Sequence, residues 1–220
     1  MTKIHPSSAS ASITAAPTPS LVSESPNEAV VLTVWTKSLL FNCNGFTVYD
    51  SKGNLVYRVD NYIAGNKGEI VLMDAAGKSI LTIRRKRLSL GDNWMVYDGD
   101  MKVNPRFSVK KHVKILNTRC LARVMSSGRG GSESPSPKSS SPSSTLYEIE
   151  GSYAQRCCVV YDHKRQRVAE IRRKEVGIGG VSLGGDVFRL VVEPHFDTSV
   201  AMALVILLDQ MFGRSSSFKR

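Results

Sequence analysis

From Val200 to Leu208 every residue is apolar, and this run constrains the chain more than any other. Asp197, Thr198 and Ser199 before it offer an N-cap, and Gly213 after it offers a stop. The pattern predicts one helix of about four turns, roughly 22 Å long at ~1.5 Å per residue. It has no polar face until Asp209, and a helix apolar all round must be enclosed by lipid or by protein. The run is shorter than the ~20 apolar residues that a bilayer span needs, so protein is the expected enclosure. The segments before it read as strands, which predicts a sheet wrapped around the helix.

Those strands carry a repeat. Phe46-Thr47-Val48-Tyr49-Asp50 leads through a Lys-Gly-Asn turn into Leu55-Val56-Tyr57-Arg58-Val59. Ile70 to Asp74 leads likewise into Ser79 to Ile83, and Cys158 to Asp162 into Arg167 to Ile171. In each copy an Asp closes the first strand, where its carboxylate can bond the amides of the following turn. Turn chemistry explains these residues without a catalytic role. Two copies continue alike, as Ile83-Arg84-Arg85-Lys86 and Ile171-Arg172-Arg173-Lys174, and Trp94 to Gly99 is a shortened echo. Further strands are expected at Val30–Trp35 (with Leu39-Leu40-Phe41 as a continuation after a break), Phe107–Lys110, Val113–Leu116, Cys120–Val124, Leu146–Gly151 and Asp186–Glu193. Hairpins repeated in both halves predict a duplicated all-β architecture of about twelve antiparallel strands. Closing them into a barrel would remove the edges and surround the helix.

Residues 1–28 are rich in Ser, Ala, Thr and Pro, have one Lys and no Arg, and lack an apolar signal segment. They read as a disordered leader, with organellar targeting as the alternative. Residues 126–145 are Ser, Gly and Pro with scattered charge and read as a disordered insertion. Its Ser-Pro pairs at 134–135, 136–137 and 141–142 suit proline-directed phosphorylation. The folded unit is expected over 29–212, followed by a basic tail at 213–220. Cys43, Cys120, Cys157 and Cys158 have no zinc spacing, so reduced thiols in a cytoplasmic or nuclear protein are the simplest reading.

No nucleophile elbow, metalloprotease helix or phosphate loop occurs. The glycines of 177–185 lack the dinucleotide-binding register and read as tight connections. No cofactor, metal or enzymatic activity is expected. Charge is more informative, because the net +11 is uneven. Residues 29–125 hold 16 Lys/Arg against 7 Asp/Glu, whereas residues 146–212 hold 8 against 9. Basic runs at 84–87 and 110–114 would come to one rim of a barrel and attract phosphate-rich surfaces. Arg84, Arg85, Lys86, Arg172, Arg173 and Lys174 are therefore the candidate anion- or headgroup-binding residues. A merely solvated basic face is the bland reading, and nucleic acid is the other anionic partner. The runs lack interleaved aromatics for base stacking.

The motif order resembles the plant LURP-one-related proteins over about residues 29–212. The residues that carry the likeness are Phe46-Thr47-Val48-Tyr49-Asp50, the Ile-Arg-Arg-Lys echo, Trp94-Met95-Val96-Tyr97, and Val192-Glu193-Pro194-His195-Phe196-Asp197 leading into Ala201 to Val205. That resemblance implies a tubby-like barrel of twelve strands around a central C-terminal helix. It also implies kinship with tubby C-terminal domains, which are membrane-tethered through phosphoinositides and act in transcription, and with phospholipid scramblases. Some LURP-one-related proteins are associated with basal defence, and no catalytic residues carry over. The resulting expectation is a monomeric, non-enzymatic module that binds anionic phospholipid headgroups or an acidic partner, cytoplasmic and peripheral at the plasma membrane. A tubby-like nuclear regulator is the alternative, with a scramblase third. No transmembrane segment is expected.

Overall fold

The computed structural model describes residues 28–40, 43–62, 68–86, 92–112, 119–127, 144–174 and 184–213. In chain order the strands are β1 (Val30–Trp35), β2 (Cys43–Tyr49), β3 (Leu55–Tyr62), β4 (Glu69–Asp74), β5 (Ser79–Arg85) and β6 (Asn93–Asp98). They continue as β7 (Phe107–Lys111), β8 (Cys120–Ser126), β9 (Thr145–Ser152), β10 (Cys157–Asp162), β11 (Arg167–Arg173) and β12 (Val187–Val192). Helix α1 (Thr198–Phe212) follows. Each strand pairs with its sequence neighbour, and β1 pairs with β12, which closes an antiparallel barrel of twelve strands. The expected barrel around a C-terminal helix is what the chain forms.

Strand alternation builds the interior. Leu32 and Val34 of β1, Ile70 and Leu72 of β4, and Phe188 and Leu190 of β12 all point inward and are buried. They meet α1, in which every residue from Ser199 to Leu208 is buried. Asp197 is the N-cap, accepting from the Ser199 amide at 2.8 Å and its hydroxyl at 2.7 Å. At the other end the Gly213 amide donates to the Asp209 carbonyl at 2.8 Å. A Cβ on Gly213 would lie 2.4 Å from that oxygen, so glycine is what permits the closure.

The three aspartates of the repeat make the same turn. Asp50 accepts from the amides of Lys52 and Asn54 at 2.9 and 2.8 Å, Asp74 from Lys78 at 2.9 Å, and Asp162 from Lys164 and Gln166 at 2.8 Å each. The third residue after each Asp has positive φ: Gly53 at +85°, Gly77 at +87° and Arg165 at +61°. The pairing register shifts beside each turn, at Val48/Tyr49, Leu72/Met73 and Val160/Tyr161. This is a short hairpin turn ending in a left-handed residue and a bulge.

These turns all lie at one end of the barrel, because consecutive strands alternate in direction. We call it the turn rim; β12 also ends there and α1 begins there. The helix runs through the barrel and ends at the opposite, exit rim. Some sequence expectations shift at their edges. Leu39 and Leu40 form a bend rather than a strand, Ser126 and Thr145 belong to β8 and β9, and β12 starts at Val187. The expected strand at 113–116, most of the leader, most of the insertion and the tail from 214 lie outside the described residues, as does the glycine run before 184.

Candidate functional site

The Ile-Arg-Arg-Lys echo has a geometric meaning. Ile83 and Ile171 are buried inside the barrel. Alternation then turns Arg84 and Arg172 outward, and Arg85 and Arg173 toward the mouth at the exit rim. Both copies end odd-numbered strands, so both reach the same rim. However, β5 and β11 stand six places apart in the ring in either direction. The two basic triples therefore sit on opposite walls of a barrel roughly 20–25 Å wide at its backbone.

Internal pairing further separates the six residues. The Arg84 guanidinium donates to Glu69 at 2.7 Å and to the Met101 carbonyl at 3.0 Å, and lies 5.0 Å from the Tyr97 ring centroid. Arg85 pairs with Asp92 at 2.6 Å and Arg172 with Glu170 at 2.7 Å. Arg172 and its neighbour Arg167 hold the Glu170 carboxyl below the usual carboxylate range, against some opposing desolvation. Lys86, Arg173 and Lys174 have no ion pair among the described residues. Lys37, Lys110 and Arg119, exposed and near the same rim, join them in that respect.

The turn rim differs in character. Its arginines are interleaved with carboxylates, Arg106 with Asp98 and Asp197, Arg165 with Glu148 and Glu150, and Arg167 with Glu170 and Glu193, whereas Lys78, Lys102 and Lys164 there have no ion pair among the described residues.

The exit rim also carries exposed apolar side chains that charge counting does not find. Trp35, Leu39 and Leu40 are 44%, 51% and 39% exposed. Their segment is tied down rather than loose. The Thr36 amide donates to the Asp186 carbonyl at 2.8 Å. The buried Ser38 hydroxyl donates to the Asp60 carboxylate at 2.5 Å, and the Leu40 amide donates to Ser38 Oγ at 3.0 Å. Trp35 itself rests edge-on against Tyr49, ring centroids 6.1 Å apart. The sequence signal was present, a Leu-Leu pair beside Lys37, but it reads equally as a strand continuation.

A cavity of about 450 Å³ opens where α1 reaches this rim. Its apolar floor includes Phe46, Val59, Ile70 and Ile206, and its polar side includes Tyr153, Arg156 and Asp209. Tyr153 donates to the Asp209 carboxylate at 3.1 Å. Burial raises the pKa of both groups, the Tyr153 hydroxyl strongly. The Arg156 guanidinium lies 4.2 and 4.4 Å from the ring centroids of Tyr153 and Phe188. Nothing in the sequence singles out Arg156, because the β9–β10 turn sets its backbone conformation and its ring neighbours come from that turn and from β12.

Two of the thiols are buried. Burial pushes the Cys158 thiol up to about 12 and also raises Cys120, so both are poor nucleophiles. Among the described residues no cluster of His, Cys, Asp and Glu could hold a metal ion.

A closed twelve-stranded barrel around an apolar helix, with distinct rims, defines the class of protein. The chain belongs to the LURP-one-related family, whose model matches residues 30–209. It is 50% identical over 221 residues to Protein LURP-one-related 8 of Arabidopsis thaliana, covering 98% of this chain and 100% of that one. It is 45% identical to LURP-one-related 17 of the same plant, covering 83% of each. An Arabidopsis thaliana protein solved by X-ray crystallography has the same fold, with a TM-score of 0.59 at 22% identity, covering 84% of this chain and 95% of that one.

Proposed function

We propose that this protein is a non-enzymatic docking module whose exit rim settles on anionic phospholipid headgroups. One observation carries the reading: cations without an ion pair among the described residues, Lys37, Lys86, Arg173 and Lys174 among them, share a rim with exposed Trp35, Leu39 and Leu40. Each basic side chain near an anionic bilayer contributes about 1 kcal/mol, screened by salt. Trp and Leu favour the boundary between headgroups and acyl chains, and a Trp ring suits that boundary especially. Because the basic triples stand on opposite walls, the rim suits a surface better than a single phosphate. No helix of the described residues is long and apolar enough to cross a membrane, in keeping with a peripheral mode. The setting implied by the family resemblance is a plant defence or stress response, with a tubby-like nuclear role as the alternative. Nucleic acid would use the same cations but would not need the apolar residues.

Co-sedimentation tests this. Vesicles of neutral phosphatidylcholine are compared with vesicles that also contain phosphatidylserine or phosphoinositide, across a salt series. Binding to the anionic vesicles that weakens with salt is expected. A Leu39→Ser/Leu40→Ser variant should bind them less well than wild type at every salt concentration. Absence of vesicle binding at low salt would sink the proposal, and retention on DNA unaffected by those Leu substitutions would favour nucleic acid.

A further inference from the structure

The cavity at the exit mouth has an origin in the strand pairing. β3 and β4 both run on toward the exit rim, yet they pair only through Tyr57↔Asp74 and Arg58↔Met73. Beyond those pairs the two strands splay. The cavity of about 450 Å³ reaches in there, to Val59 of β3 and Ile70 of β4, with Phe46 and Ile206 completing an apolar floor.

Its charge is negative. Asp186 and Asp209 line it against one cation, Arg156. That guanidinium is already engaged, held against the Tyr153 and Phe188 rings and donating through Nε to the Gly185 carbonyl at 2.9 Å. Asp186 and Asp209 have no ion pair among the described residues. Helix α1 ends at the same place, and the partial negative charge of its last carbonyls adds to theirs. An apolar floor beneath a negative mouth fits an occupant that is cationic and carries a large apolar side chain.

The chain itself supplies one. Gly213 lines the cavity, and after it come Arg214-Ser215-Ser216-Ser217-Phe218-Lys219-Arg220, with three cations, no acid and one aromatic ring. Five residues from Gly213 to Phe218 can span up to ~17 Å. Ile206 on the floor lies seven positions back along α1, roughly 10 Å, so Phe218 can reach it. Attachment at the edge of the cavity also holds the tail at a high local concentration.

We propose that residues 214–220 turn back into this cavity, with the Phe218 ring against Phe46, Ile70 and Ile206 and with Lys219 and Arg220 at Asp186 and Asp209. The tail is then a plug for the one place where the barrel wall is splayed beside its helix. This inference does not depend on the docking reading of the rim.

The test is NMR spectroscopy of the full chain labelled with ¹³C and ¹⁵N. The Phe218 ring should give NOE cross-peaks to the methyl groups of Ile70 and Ile206. Lys219→Glu with Arg220→Glu should weaken those cross-peaks about fivefold, the effect of losing two exposed ion pairs. Phe218→Ser should abolish them and shift the lining amides of Gly45, Gly185 and Gly213. All three substitutions lie in the tail and leave the core of the barrel intact. Absence of any cross-peak from Phe218 to either isoleucine in the wild-type chain would overturn the proposal. So would cross-peaks that persist undiminished after the charge reversal, or lining amides that do not move in Phe218→Ser.

Discussion

Lys111 Nζ donates to the Met211 carbonyl at 2.9 Å and lies 4.6 Å from the Phe212 ring centroid. A barrel strand thereby caps the C-terminus of the helix it encloses, placing a cation where the last carbonyls carry partial negative charge. Lys111→Met keeps most of the aliphatic stem and removes the charge. It should lower stability by about 1–2 kcal/mol, read as a shift in the urea midpoint at unchanged slope.

Leu204 is 1% exposed in the middle of α1. Leu204→Ala should cost about 2–5 kcal/mol through lost burial and a residual cavity. Leu204→Lys should prevent folding, because the barrel offers the ammonium no water. Circular dichroism checks both, and a well-folded Leu204→Lys protein would contradict an enclosed helix.

The two ends of α1 respond oppositely to pH. Burial works against ionisation of Asp197, but the Ser199 hydroxyl and amide and Arg106 outweigh it and hold the carboxyl below its ordinary value. Its contribution is therefore present above the unfolded pKa and lost as pH falls through the folded one. Asp197→Ala should cost about 0.5–2 kcal/mol at neutral pH and less in acid. Desolvation raises Asp209 despite Tyr153 and Arg156. Its contribution is full below the unfolded pKa and lost as pH rises through the folded one. Asp209→Asn should accordingly gain stability relative to wild type as pH rises from 3 toward 7, followed by urea unfolding at each pH.

Gly53 isolates the backbone requirement of the repeated turn. Its φ is +85° and no atom lies within 4 Å of where a Cβ would stand. Gly53→Ala should destabilise by about 1–2 kcal/mol through conformation alone, measured by thermal or urea unfolding.

The barrel was legible because its cues are local. An Asp at a strand end, the glycines at Gly53 and Gly77, and alternation such as Ile70-Val71-Leu72 each state their own geometry. Arg165 takes the left-handed place of those glycines, yet the Asp162 pattern still identified the turn. The site was less legible, because it depends on which strands become neighbours. Arg84 and Arg172 look identical in sequence, but their partners Glu69 and Glu170 are fixed by register and by outward-facing packing. Ring closure sets β5 opposite β11, which composition does not reveal. The tethering of Ser38 to Asp60 and the setting of Arg156 likewise arise only from the tertiary structure.

Charge reversal at the two rims separates docking through the exit rim from a general effect of net charge. One variant carries Lys37→Glu, Arg173→Glu and Lys174→Glu at the exit rim; the other carries Lys52→Glu, Lys78→Glu and Lys164→Glu at the turn rim. Both change net charge equally. Co-sedimentation with phosphatidylserine vesicles at low salt should be lost in the exit-rim variant and largely retained in the turn-rim variant. Equal loss in both would reduce the effect to net charge, and retention in the exit-rim variant would rule out docking through that rim.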